Sequence, residues 1–492
     1  MIISKSKYCR GYQCPKMLWM DENKPEEAKT ASDDTVLKTG NEVGELARNY
    51  FGHFVTVQLD SNREKMVAQT KEYIEAGEDV IAEASFMYDD NFCSVDMLKM
   101  YEDGSACFVE VKSSTEIHDI HYQDMAFQYY VLSHCGLKMK GVYNLHLNSQ
   151  YVRQGELDLQ QLFVMEDVTE KVVNLQQSIE HNLTTINSCI DSVDEPDIEI
   201  DVHCCKPYEC DYYAYCHKNV PEQSVFNIHG MTVSKKYDLY KHGIVTYEDI
   251  MKQKPKISEK QLKQVKTNYY KEQPTINKTE IAAFLETITY PLYYLDFETY
   301  QQAIPQFDGV KPYAQIPFQY SLHVEKYKGV ELEHYEFLGK EGEDPRRTLA
   351  ERLCQDIPLN VCTLAYNMGF EKGRIKEMAE LFPDLAEHLL NIHDNIKDLM
   401  IPFQKQHYYC EELQGSYSIK YVLPALCSED PELDYHALEG IHNGSEAMNA
   451  FADLPNHTPE EIAQIRKNLL AYCRLDTLAM VKVLEKLEEM VK

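Results

Sequence analysis

Four acidic residues and a tyrosine carry spacings that suit phosphodiester chemistry. Tyr293-Tyr294-Leu295-Asp296-Phe297-Glu298-Thr299 reads as a strand ending in D-x-E. Side chains alternate along a strand, so Asp296 and Glu298 share a side. Asn367-Met368-Gly369-Phe370-Glu371 follows a strand and opens a helix. Tyr472-Cys473-Arg474-Leu475-Asp476 lies on a helix, where positions i and i+4 share a face. Carboxylates converging from a strand and helices can hold two magnesium or manganese ions about 4 Å apart, as two-metal phosphodiester cleavage requires. Tyr472 could orient the attacking water, and Asp398 is a candidate supporting carboxylate. A lone D-x-E also occurs in surface turns; the ordered set of three motifs carries the reading.

A second constellation precedes it. Ser94-Val95-Asp96 and Phe108-Val109-Glu110-Val111-Lys112 fall on neighbouring strands. Glu110 and Lys112 point to one face, and a hairpin can bring Asp96 beside them. The two carboxylates offer oxygen ligands to magnesium or manganese. The lysine can polarise a water and offset developing phosphate charge. Gln128, with Tyr129 and Tyr130, sits on a following helix that could line the same pocket, and Glu83 is a candidate fourth acid. Without context, the same pattern describes a solvated edge hairpin.

The third constellation is a run of cysteines. Cys204, Cys210 and Cys216 fall at equal intervals, and Cys14 offers a fourth thiolate far upstream. Four thiolates suit a [4Fe-4S] cluster or a tetrahedral zinc. Cys205 could replace Cys204, and Cys9 could replace Cys14.

These residues need elements to hold them. A helix is predicted over Val36–Phe51, and strands over Val80–Tyr88, Cys93–Tyr101 and Ala106–Val111, with turn residues between them. A helix over Ile120–Cys135, a strand over Lys140–Leu147 and a long amphipathic helix over Val168–Ile190 follow. Residues 221–290 read as a helical connector rich in lysine, whose helix–Gly turns could grip a phosphate backbone or simply be solvated. Strands are then expected at Pro291–Leu295, Phe318–Tyr327, Leu332–Leu338 and Val361–Tyr366, with helices at Pro345–Cys354 and Pro459–Val491. The expected class is α/β (α+β), with domains at 1–220, 221–290 and 291–492.

Composition sets outer bounds. The chain has 492 residues, 44% hydrophobic and 26% charged, which excludes wholesale disorder. No stretch is apolar for long enough to cross a membrane, and the first residues turn polar too early for a secretory signal, so a cytoplasmic location is expected. Fifteen cysteines in a reducing compartment point to metal rather than a disulfide framework. The formal charge of −31 argues against a sequence-blind DNA coat but not against a metal-dependent nuclease.

The order helix, D…E-x-K hairpin, Gln/Tyr helix and cysteine cluster resembles the RecB-like branch of the PD-(D/E)XK nucleases, including CRISPR-associated and AddB-type members with an iron–sulfur cluster. The resemblance implies that Asp96 and Glu110 bind the catalytic metal, Lys112 assists, Gln128 and Tyr130 line the site, and Cys14, Cys204, Cys210 and Cys216 hold a [4Fe-4S] cluster. Many members carry a metal-binding His in the first helix; Gly44 stands near that place, and Glu83 is the candidate to complete the shell. The set Asp296, Glu298, Glu371, Tyr472, Asp476 resembles the DEDDy subgroup of DnaQ-like 3′→5′ exonucleases, with a ribonuclease H-like fold and Glu371 where most members have Asp. End to end, the chain resembles a bacterial family that fuses the first type of nuclease to a YprB-type ribonuclease H-like domain. Cys14-Pro15-Lys16-Met17-Leu18-Trp19 and Gly415-Ser416-Tyr417-Ser418-Ile419-Lys420 are among the matching stretches.

The expected activity is that of a metal-dependent exodeoxyribonuclease in DNA repair, processing or defence, acting on single-stranded DNA or free ends. RNA processing and a nucleic-acid-binding adaptor with one or both centres idle stay open. No G-x-x-x-x-G-K-[ST] motif appears, so unwinding would fall to a partner helicase.

Overall fold

The computed structural model describes residues 1–29, 35–428, 433 and 435–492. The chain is a mixed α/β protein with one seven-stranded and one five-stranded mixed sheet, plus a two-stranded ladder. It divides into two compact units: Met1–Val220 with Gln302–Tyr313, and Pro221–Gln301 with Ala314–Lys492. The lysine-rich 221–290 region thus falls within the second unit, and the segment after the D-x-E strand falls within the first.

The first unit contains β1 (Ile3–Ser4), β2 (Val55–Thr56), β3 (Val80–Tyr88), β4 (Asn91–Met100), β5 (Ser105–Lys112), β6 (Lys138–Leu147) and β7 (Phe163–Asp167). The order is β2-β3-β4-β5-β6-β7, with β1 paired to β4. The β3–β4 and β4–β5 pairs are antiparallel and β5–β6 is parallel. Alternation sorts the strands between two cores. Leu98, Phe108 and Val142 join one, with residues of α1 (Lys5–Gln13), α4 (Arg63–Ala76), α5 (Asp119–His134) and α6 (Gln176–Ile190). Met97, Val109 and Leu145 join the other, with Val43 and Ala47 of α3 (Thr35–Arg48). Helix α2 (Pro15–Asn23) follows α1 after a break at Cys14. The helix expected over Val168–Ile190 is interrupted at Leu175, between Thr169–Asn174 and α6.

The second unit contains β8 (Leu292–Tyr300), β9 (Ile316–Glu325), β10 (Glu333–Leu338), β11 (Cys362–Ala365) and β12 (Ile396–Asp398), in the order β10-β9-β8-β11-β12. Strand β8 runs antiparallel to β9 and parallel to β11. On β8, Tyr293, Leu295 and Phe297 join a core with residues of α7 (Arg346–Asp356) and α8 (Gly369–Leu381). Leu292 and Tyr294 join the opposite core, with residues of the long helix α9 (Pro459–Val491). Helix α9 begins with a capping box between Thr458 and Glu461, which satisfies the first free backbone N–H groups.

Within the same unit, three capped helices span Val233–Lys241, Tyr247–Gln253 and Glu259–Tyr270. Their lysines largely serve the fold. Lys260 and Lys263 donate to the carbonyls of Gln404 and Gln406. Lys235, Lys252 and Lys271 pair with Asp238, Glu248 and Glu411. Gly415 has φ +79, and a Cβ there would stand 2.4 Å from Gln264 Oε1, the atom that accepts from the His229 N–H. That close approach requires glycine.

Candidate metal centres and the cysteine clasp

In the first unit, the register gathers the acidic residues. Met97 pairs with Val109, so Asp96 and Glu110 occupy the next opposed positions, just past the end of the ladder. Both share the parity of Leu98 and Phe108, the face covered by α1 and α5. Asp96 Oδ2 accepts from the Val111 N–H at 2.7 Å, replacing the missing ladder bond. Lys112 Nζ lies 2.8 Å from Glu110 Oε1 and 2.7 Å from Asp124 Oδ2. Gln128 Nε2 donates to Glu110 Oε2 at 2.8 Å and Asp124 Oδ1 at 3.0 Å. Lys5, the first residue of α1, reaches Glu110 Oε1 at 3.0 Å and Asp96 Oδ1 at 3.6 Å. Glu110 is only 1% exposed.

Electrostatics splits the two acids. Burial, then the charge of Glu110, pushes Asp96 up to about 7. Burial would raise Glu110 as well, but the Lys112 and Lys5 ammoniums hold it well below the usual carboxylate range. Burial and then the nearby Lys112 charge push His121 down to about 4.

Two expected members are engaged by other partners. Glu83 has φ +57 and its carboxylate pairs with Arg48 at 2.8 Å. Tyr130 packs against Tyr88 and His134. Residues two apart on a helix project about 200° from one another, so Gln128 and Tyr130 cannot face one pocket. Sequence reasoning missed Lys5 and Asp124. Asp124 had a signal, its i,i+4 relation to Gln128; Lys5 had none, because only the fold brings it in.

Cys14, Cys204, Cys210 and Cys216 line one small cavity with Met17, His203 and Tyr212. Burial raises the Cys14 thiol to about 11 and Cys210 to about 12, and the neighbouring cysteines add to both shifts. The surrounding bonds tie the start of the chain to residues 203–211. Arg10 pairs with Asp21 and Asp211, and Gln13 Nε2 donates to the carbonyls of His203 and Tyr208 at 2.7 and 2.8 Å. The Cys210 N–H donates to Cys204 O at 3.0 Å. Neither Cys9 nor Cys205 lines this cavity. Cys9 instead has Asp124, Lys112 and Glu110 as charged neighbours.

In the second unit, Asp296 and Glu298 continue the face of Tyr294 toward α9. Ligand atoms of Asp296, Glu298 and Cys473 all lie within 4.8 Å of one another, the one such group among the described residues. Asp476 Oδ1 accepts from Tyr435 Oη at 2.6 Å. Burial raises Asp296 and Glu298 well above the carboxylate range, and the charges of Asp476 and Glu371 raise both further. Burial pushes Asp476 up to about 6, with the Tyr435 hydrogen bond and Lys420 opposing. Glu371 is raised to about 8 by burial and then by Asp398, and its Oε2 is buried without a hydrogen-bond partner. Lys420 is the basic group offsetting Glu298. Tyr472 is buried beside Tyr435, ring centres 6.1 Å apart.

Asp398, whose charge acts on Glu371, also braces the backbone. Its Oδ1 accepts from the N–H groups of Asn367 and Met400 at 3.0 and 2.9 Å, fixing the turn that leads into α8. Tyr435, Cys473 and Lys420 were not foreseen. Cys473 sits between two motif residues, but its type gave no reason to expect it beside carboxylates.

The donor sets differ in chemistry. The acids of both units offer hard oxygens suited to magnesium or manganese, whereas the cavity of four thiols offers soft sulfur suited to iron–sulfur or zinc. Like-charged carboxyls crowded together with an orphaned buried oxygen are what a cation would relieve.

Residues 293–418 match the model of a domain of unknown function, DUF2779. An uncharacterized protein of Ureaplasma parvum, UU173, is 26% identical over 222 residues, 39% of this chain and 30% of that protein. An uncharacterized protein of Mycoplasma genitalium, MG366, is 27% identical over 231 residues, 40% of this chain and 32% of that protein. The matched part thus spans about a third of the length of these relatives. No solved structure matches. Among the described residues, no helix is long and apolar enough to cross a membrane.

Proposed function

We propose that this chain is a metal-dependent nuclease with two phosphodiesterase centres, a RecB-like one in the first unit and a DnaQ-like 3′→5′ exonuclease in the second. The observation that carries the reading is the second centre. Asp296, Glu298, Glu371 and Asp476 crowd together against Tyr472, with Lys420 as the nearby basic group offsetting Glu298 and Asp476. Buried acids without matching cations are costly unless a proton or a metal neutralises them.

Asp296, Glu298 and Asp476, completed by Glu371, would hold magnesium or manganese, which would supply Lewis-acid charge at a phosphate. Tyr435 fixes the carboxylate of Asp476, and Tyr472 would orient the attacking water. In the first centre Asp96 and Glu110 would share a cation, while Lys112, anchored by Asp124, offsets charge on the phosphate. Cys14, Cys204, Cys210 and Cys216 would hold a [4Fe-4S] cluster that closes the first unit, with zinc as the alternative. DNA is the proposed substrate; RNA cleavage would be a second outcome of the same assay.

The test is a magnesium or manganese assay on end-labelled single- and double-stranded DNA and RNA. Asp96→Ala or Lys112→Ala should abolish one activity and spare the other; Asp296→Ala or Asp476→Ala should do the reverse. A second reading, a nucleic-acid adaptor with an idle first centre, draws on Glu110: Lys5, Lys112 and Gln128 already occupy both its oxygens. Unchanged cleavage in Asp96→Ala and Lys112→Ala would favour it.

A further inference from the structure

Lys5 is the one member of the first cluster that comes from outside the sheet and α5. Strand β1, paired with β4 at Ile3–Asn91 and Ser4–Phe92, positions the start of α1 beside Asp96. Ser4 caps that helix by accepting from the Lys7 N–H. From there the Lys5 ammonium spans Glu110 Oε1 at 3.0 Å and Asp96 Oδ1 at 3.6 Å. Those are the two acids a bridging cation would need. Asp96 Oδ2 is already engaged by the Val111 N–H, and Glu110 Oε2 by Gln128. The oxygens left to share a cation are Asp96 Oδ1, which faces Lys5, and Glu110 Oε1, which Lys5 shares with Lys112.

We infer that Lys5 is an internal counter-ion that competes with the divalent metal for Asp96 and Glu110, and that a substrate phosphate draws it away. This inference rests on the reading of the cluster as a phosphodiesterase centre. Two features suit Lys5 to the exchange and Lys112 to staying in place. The Lys5 side chain keeps 31% exposure, so it can swing outward on a flexible stem. Lys112 is fastened to both Glu110 and Asp124. A phosphate oxygen offers Lys5 a charge-assisted hydrogen bond comparable to the one it would give up. Metal would then enter chiefly when nucleic acid is present, and the first centre would stay quiet without it.

The experiment uses the full chain with the second centre silenced by Asp296→Asn and Asp476→Asn, titrated with manganese and followed by the electron paramagnetic resonance signal of the free ion. In this parent, Lys5→Met keeps the stem and removes the charge, and should tighten manganese binding by roughly tenfold or more. Lys5→Arg, which keeps the charge, should bind like the parent. Adding Asp96→Asn to Lys5→Met should erase the gain. Unchanged or weaker binding in Lys5→Met overturns the inference while leaving the centre a metal site. No Asp96-dependent binding in either chain removes the metal reading itself. A second measurement compares the same two chains: a phosphorothioate-protected oligonucleotide should tighten manganese binding more in the parent than in Lys5→Met, and equal tightening in both would rule out the hand-over.

Discussion

The Tyr435 hydroxyl donates to Asp476 Oδ1 at 2.6 Å, so one carboxylate of the second centre is held by a residue outside all three motifs. Groups that orient a metal-binding carboxylate typically affect affinity or activity about 10- to 100-fold. Tyr435→Phe should therefore weaken manganese binding or turnover at this centre by about that factor, leaving the fold intact. Calorimetry and a rate assay on the same preparation check it. Parental values in both would make the contact incidental.

The cysteine cavity predicts a colour and a location. Anaerobically purified protein should be brown, absorb near ~400 nm and contain about four irons per chain, as a [4Fe-4S] cluster requires. Cys210→Ala should destabilise the first unit, whose two ends meet at Gln13, His203 and Tyr208, more than the second. One zinc without iron would turn the clasp into a zinc site.

The crowded carboxyls of the second unit predict a pH dependence. Glu371 is pushed up to about 8 and Asp476 to about 6, both above their ordinary values. The folded state therefore binds more protons than the unfolded one. The associated stability is fully present below the unfolded pKa, near ~4, and is lost as pH rises through the folded value. With chelator present, the second unit should melt several degrees lower at about pH 8 than at about pH 5, since a tenfold difference in proton affinity is worth about 1.4 kcal/mol. Glu371→Gln should flatten the upper part of that fall. Manganese should restore more stability at the higher pH, and a flat melting profile with no metal effect would contradict the burial argument.

Much of this geometry was legible because strand and helix periods are rigid. Period two places Asp296 with Glu298, and Glu110 with Lys112. Strand β3 runs from Val80 to Tyr88 and α9 from Pro459 to Val491, the bounds their residue patterns predict. The illegible parts are long-range or compete with a nearby partner. Lys5 reaches Glu110 only because β1 joins the start of β4. Glu83 looked like a fourth acid, but Arg48 on α3 takes its carboxylate. Tyr130 was grouped with Gln128 as a motif, yet helix geometry turns it toward Tyr88 and His134. Asp398 read as a supporting carboxylate; its charge acts on Glu371, and the hydrogen bonds from the backbone N–H groups of Asn367 and Met400 to its Oδ1 were not legible.

Glu371 predicts a gain. Its Oε2 is buried without a hydrogen-bond partner. If the longer side chain is a compromise in holding a cation, Glu371→Asp should raise activity or shift the preference between manganese and magnesium. Metal-dependence curves for the two chains test this, and identical curves would show that the extra methylene has no consequence.

The central claim is met most directly by following one strand of nucleic acid. The chain with Asp96→Ala, given magnesium or manganese and a 5′-labelled single strand, should produce a descending ladder as nucleotides leave the 3′ end. Asp296→Ala should abolish the ladder. Tyr472→Phe should slow it while leaving manganese affinity near that of the parent, whereas Asp476→Asn should weaken both. A strand with a blocked 3′ end that is still degraded from its 5′ side, or a ladder indifferent to Asp296→Ala, would contradict the account.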